Sequence, residues 1–143
     1  MKLVRLGKLN EEKPAVLVNG QYVDVSAYFQ DFNEDFFTSD GLNRLKDILE
    51  TKDLPIIHSP ERLGSCVARP SKIICVGLNY ADHAKETGAA IPEEPILFFK
   101  STSALSGPND AVVIPKNSTK TDWEVEFAIV IGKKASYVEE HEA

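Results

Sequence analysis

Cysteine is scarce in this chain, with two among 143 residues, Cys66 and Cys75. Two cysteines do not make a disulfide framework, and both read as reduced thiols. Long apolar runs are missing too. The opening "MKLVRLG" has too little apolar length for a signal peptide, and no span approaches membrane length. A cytoplasmic protein that engages no membrane is therefore expected. Positive charge is in deficit: 16 Lys and Arg stand against 22 Asp and Glu, for a net charge of -6. That balance speaks against nucleic acid or an anionic membrane as a partner. The acidic residues are scattered, so no charged tail is indicated. Internal repeats and low-complexity segments are absent. What remains is the composition of an ordinary globular protein, 43% hydrophobic and 27% charged, with length for one domain or for one and a part.

The pattern along the chain predicts an α+β protein that is mostly β. Residues 2 to 6 alternate like a short strand. "AVLVNGQYVDVS" (15 to 26) is a hairpin signal, two apolar runs around the type I′ turn pair Asn19-Gly20. "SDGLNRLKDILETKD" (39 to 53) predicts a helix with Leu42, Leu45, Ile48 and Leu49 on one face and Ser39 or Asp40 as cap. An irregular stretch with Pro55, Pro60 and Pro70 follows. It divides a small N-terminal β-rich domain, 1 to 70, from a second domain, 71 to 143. The second opens with the strand "KIICVGLNY". A short helix comes next, capped by Asn79 and stopped at Gly88. "PILFFK" and "AVVIP" read as strands, as does "TDWEVEFAIVIG" (121 to 132). At the end, "SYVEEHEA" has a capping-box spacing from Ser136 to Glu139.

Four side chains and one strand-end lysine invite a chemical reading. On a strand, Glu124 and Glu126 share a face with Ala128 and Val130, because side chains alternate. Two anions side by side repel unless a cation or water lies between them. A hard cation such as Mg²⁺ or Mn²⁺ takes carboxylate oxygens. On spacing alone, a solvated edge strand is the commoner source of such a pair. His83 and Glu86 stand at i, i+3 on the short helix, within reach of each other. A carboxylate that orients an imidazole makes a general base, although a chance surface pair has the same spacing. Lys100 ends an apolar strand, where its ammonium could meet an anionic substrate or simply reach water. Cys75 reads as core, and Cys66, His58 and His141 show no ligand spacing.

Taken in order, "VGLNYADHAKETG" and "EEPILFFKSTSALSGPNDAVVIPKNSTKTDWEVEFAIVIGKKASYV" resemble the catalytic domain of the fumarylacetoacetate hydrolase family. The resemblance runs from about Lys72 to the end of the chain. "GLNYADHA" with "TDWEVE" looks most like the branch that acts on sugar-derived 2,4-diketo acids such as 2,4-diketo-3-deoxy-L-fuconate. Acylpyruvase-type relatives often carry Arg where this chain has Leu78.

The resemblance implies a mixed β-sandwich roll, of which residues 71 to 143 are the first part, and a homodimer. It implies Mg²⁺ or Mn²⁺ held by Glu124 and Glu126, and a His83-Glu86 dyad on a mobile lid. Lys100 is a candidate substrate-binding residue. The implied reaction is hydrolysis of a C–C bond in a 2,4-diketo acid, an acylpyruvate or a sugar-derived one. His83 takes a proton from water and the metal stabilises the enolate that leaves. Decarboxylase, isomerase or lyase chemistry through a metal-bound enolate would use the same groups. The family pattern also has a later aspartate ligand and a further lysine, which this sequence does not contain. The chain is thus expected to be an N-terminal portion, incomplete as an enzyme by itself. A non-catalytic fragment or interaction module is the alternative.

Overall fold

The computed structural model describes residues 1 to 143. They form two compact units, Met1–Ala68 with Gly107–Ala143, and Arg69–Ser106. The sequence reading drew a single boundary near residue 70, whereas here the chain returns to the first unit at Gly107.

The first unit is built on a four-stranded antiparallel sheet. Its strands are β1 (Lys2–Leu6), β2 (Lys13–Val18), β3 (Gln21–Asp24) and β4 (Ile56–Ile57), in that order. The β2-β3 hairpin turns at Asn19 and Gly20, with φ of 49° and 80°. Positive φ at both central positions is the demand of a type I′ turn, and Asn-Gly meets it at little steric cost. Val18 faces Gln21 across that turn. β4 lies in the proline-rich stretch that looked irregular in sequence. Only two residues long, it exists because Ile56 and Ile57 pair with Val23 and Tyr22.

Two helices cover this sheet's unit. α1 (Glu34–Thr38) is capped by Asn33, whose side chain accepts a hydrogen bond from the Phe36 amide at 3.1 Å. α2 (Gly41–Thr51) follows after two residues. The expected cap of α2 differs in detail. Asp40 is the N-cap residue, but its backbone is left-handed and its carboxylate makes no capping bond. It accepts instead from the Asn43 side chain at 2.8 Å. Gly41 is required by contact: a Cβ there would collide with the Phe36 carbonyl and ring.

The core comprises Val16, Val25, Phe29, Phe32, Phe36 and Leu45, with Ile48 and Leu49 packed against it. Leu42, expected on the same face, is largely exposed. Phe36 stands at the centre, edge-on to Phe29, Phe32 and Phe37 at centroid separations of 4.8 to 5.1 Å. Such edge-to-face pairs add to the area term. Leu45→Ala is expected to destabilise this unit by about 2 to 5 kcal/mol, the usual cost of emptying a sealed aliphatic site. Chemical denaturation checks it, and a loss below about 1 kcal/mol would mean that the surroundings collapse into the space.

The second unit holds a two-stranded antiparallel ribbon, β5 (Ile73–Gly77) with β6 (Ile96–Lys100), and α3 (Ala81–Thr87) between them. Both strands lie where their apolar runs predict. Every residue of β6 is exposed, Phe99 at 71%. The chain is thus mostly β with few helices, as expected.

Residues 107–143 carry no strand. The expected strands "AVVIP" and "TDWEVEFAIVIG" lie outside any ladder, and the side chains of Trp123, Val125, Phe127, Ile129 and Ile131 are all exposed, Phe127 at 84%. The reason is physical: a strand is held by a ladder of hydrogen bonds to a neighbouring strand, and neither sheet of this chain extends a ladder to these residues. At the end, a single 3₁₀ turn (Glu140–Glu142) is closed by a capping box between Glu139 and Glu142, not from Ser136. No helix is long and apolar enough to cross a membrane.

Candidate functional site

The sharpest local feature is the β5-α3 turn. β5 ends at Gly77, and Leu78 then takes φ of 50°. A left-handed residue with a side chain is uncommon and marks a turn held by its surroundings. It swings the chain from β5 into α3. Tyr80, in extended backbone, is the N-cap of α3, rather than the expected Asn79. At the other end Gly88, φ 69°, stops the helix as expected. Its amide donates to the Lys85 carbonyl and that of Ala89 to the Ala84 carbonyl, at 3.2 and 2.8 Å. This is the double bond pattern of a Schellman ending, which glycine adopts freely.

One side chain of α3 is buried, Ala84. His83 and Glu86 both point to the exposed side of this short helix. Their i, i+3 spacing leaves them neighbours, yet no hydrogen bond joins imidazole and carboxylate. The backbone carbonyl of His83 accepts from the Thr87 hydroxyl at 2.9 Å. Lys100 closes β6 opposite Ile73 and is also exposed. His83, Glu86 and Lys100 thus share the second unit.

Glu124 and Glu126 belong to the first unit, in the segment without a ladder, and both are exposed. The strand alternation that would place them on one face is therefore not in force here. Their oxygens are hard donors of the kind that Mg²⁺ and Mn²⁺ take, so the pair fits such a cation in donor type. In donor number it falls short of a cage. No group of three or more His, Cys, Asp or Glu side chains able to hold a metal ion occurs in this chain.

A family model, fumarylacetoacetate hydrolase C-terminal, matches residues 72–143. That span includes both motifs, the one around His83 and the one around Glu124. The chain belongs to the fumarylacetoacetate hydrolase family. A protein from Burkholderia ambifaria, provisionally named a hydrolase, is 47% identical over 144 residues, covering 100% of this chain and 51% of that protein. A similarly named protein from Burkholderia multivorans is 46% identical with the same coverage. This fumarylacetoacetate hydrolase family chain thus spans about half the length of the curated relatives it matches. Among solved structures, a provisionally assigned HpcE protein from Mycobacterium smegmatis is similar with a TM-score of 0.64 and 28% identity. That match covers 82% of this chain and 42% of the other.

One cluster escaped the sequence reading. Arg5, in β1, is buried and forks onto Asp31 at 2.6 and 3.0 Å. Glu12 receives Arg62 at 2.6 Å and Arg5 at 3.5 Å. Arg62 in turn forks onto Asp110 at 2.7 and 2.5 Å. Two weak signals pointed there: an arginine inside the alternating "KLVRL", and an aspartate inside the aromatic "YFQDF".

Proposed function

We propose that this chain forms part of a metal-dependent hydrolase that cleaves a C–C bond in a 2,4-diketo acid. The observation that carries the reading is the family match over residues 72–143, with "GLNYADHAKETG" and "TDWEVE" both inside it. Glu124 and Glu126 would hold Mg²⁺ or Mn²⁺. When bound, the ion supplies electrophilic stabilisation of negative charge that develops on the substrate's keto oxygen. His83 takes a proton from the attacking water at one ring nitrogen. Glu86 accepts a hydrogen bond from the other, which selects the tautomer and raises basicity. Both side chains are exposed on α3, so rotation about their own χ angles can bring them together. Lys100 would meet the substrate carboxylate. Within the family, the branch acting on sugar-derived diketo acids is the one whose motifs this chain shares most closely.

Residues 71–143 are read as the start of a mixed β-sandwich roll. The bare apolar side chains of β6 and of residues 123 to 131 support this, because sheet faces of that composition are normally covered. They equally support association into a homodimer as the working state, which we place in the cytoplasm. One competing reading, a non-catalytic piece that folds or associates without turnover, is favoured by the absence of a three-carboxylate group.

The test is metal removal from the full-length gene product. Turnover of an acylpyruvate or a sugar-derived diketo acid is expected to vanish on chelation and to return with Mg²⁺ or Mn²⁺. Turnover that survives thorough chelation would defeat the metal-dependent reading, and its absence under every metal would favour the non-catalytic one.

A further inference from the structure

We propose that Arg62 is a charge-operated latch that seats residues 107–143 against the loop between β1 and β2. Five charges alternate in sign along it: Asp31, Arg5, Glu12, Arg62 and Asp110. The Arg62 guanidinium lies between Glu12 and Asp110. Its Nη1 donates to Glu12 Oε1 at 2.6 Å, and its Nε and Nη2 donate to the two oxygens of Asp110. A bidentate fork of this kind adds direction as well as strength.

The two sides of the latch are built differently. On the Glu12 side everything is bolted to the sheet. The Gly7 amide donates to the Arg62 carbonyl at 3.1 Å and the Gly64 amide to the Arg5 carbonyl at 2.8 Å. Leu6 and Leu63 form a bridge between those bonds. On the Asp110 side the holding is by the charged fork together with the packing of Gly107. Asp110 sits in a tight turn in which its Oδ2 also accepts from the Gly107 amide at 2.7 Å. Gly107 packs so closely under Leu63 that any Cβ would strike its carbonyl. None of the four strands of the sheet comes from 107–143. The fork therefore does what a β-ladder would otherwise do for this segment. Glu124 and Glu126 lie within it, so the latch bears on the metal pair if the proposed function holds. The latch itself does not depend on that reading.

The sign of the pH dependence follows from the partners. Hydrogen bonding to Arg62, helped by the Gly107 amide, holds the Asp110 carboxyl below its ordinary value. At Glu12 burial pushes upward, but the bond from Arg62, with the Arg5 charge behind it, prevails and the shift is downward. Arg62 is shifted upward, first by Asp110 and then by Glu12. A carboxyl depressed in the folded state contributes stability above its unfolded value and loses it as pH falls through the folded one. The latch is thus closed at neutral pH, begins to weaken as pH falls past the ordinary carboxylate value of about 4, and opens only below it, as pH falls through the depressed folded values.

Spin labels at Lys8→Cys and Lys116→Cys, in a chain whose Cys66 and Cys75 are alanine, report the seating as an electron–electron distance. A single narrow distance is expected at pH 7. Stepwise acidification below the ordinary carboxylate value of about 4 should broaden it reversibly. Asp110→Asn should broaden it already at pH 7, with the far-ultraviolet dichroism of the sheet unchanged. Should Asp110→Asn fail to fold, the pH series on the parent chain decides. A distance that stays narrow through the acid range, or in a folded Asp110→Asn chain at pH 7, would overturn the latch.

Discussion

Replacing His83 with alanine is expected to lower turnover of a 2,4-diketo acid by the full-length gene product by about 10² to 10⁴-fold, the usual worth of a positioned general base. Metal affinity should stay as it was, because the imidazole is assigned to water and not to the ion. The loss should fall on kcat more than on KM, since the proton moves only in the reaction step. Position matters more than basicity in this argument. His83 rides on a seven-residue helix whose start follows the left-handed Leu78 and whose end is closed by Gly88. Those two turns, and not the helix's own marginal stability, hold the backbone that carries His83. Glu86→Gln should give a smaller loss with the same helix content, because it removes the orienting charge and leaves the base. Near-normal turnover in His83→Ala would remove this residue from the mechanism.

The second large effect concerns the carboxylate pair. Changing Glu124 and Glu126 together to glutamine should abolish binding of Mg²⁺ or Mn²⁺ by the full-length gene product in calorimetry. Glutamine keeps the shape and the oxygen but removes both charges, and a hard dication gives up its water reluctantly for neutral donors. In the 143-residue chain alone, metal binding should already be weak before any substitution. Its two carboxylates lie in a segment without strand geometry, and no third donor joins them. Unchanged affinity in the doubly substituted protein would show that the ion, if any, is held elsewhere. That outcome would leave the His83 result interpretable by itself, since the two measurements read different groups.

Local chemistry accounts for most of what the sequence determined unaided. The Asn19-Gly20 pair allows positive φ twice in succession, so the hairpin over 15 to 26 follows from two residues. The run "IICVG" makes β5, and Gly88 ends α3 because an achiral residue takes the left-handed form without penalty. Leu45, Ile48 and Leu49 recur at helical spacing and find the core. The family, too, was legible, since the motifs around His83 and Glu124 occur in order.

Tertiary structure alone decided the rest. Arg5 and Asp31 are 26 residues apart, and Arg62 and Asp110 are 48 apart; no periodicity announces a pair whose members meet only after the chain folds. Burial of Arg5 is tolerable because Asp31 and Glu12 meet it there, and neither can be seen from "KLVRL". β4 exists only because β3 offers it an edge. The converse holds for "TDWEVEFAIVIG". Its alternation is that of a strand, but alternation states a preference for a sheet face and supplies no partner. A helix satisfies its backbone within itself, whereas a strand must borrow hydrogen bonds from a neighbour. Residues 121 to 132 join no ladder in this chain, and so the strand face expected to carry Glu124 and Glu126 together is not formed.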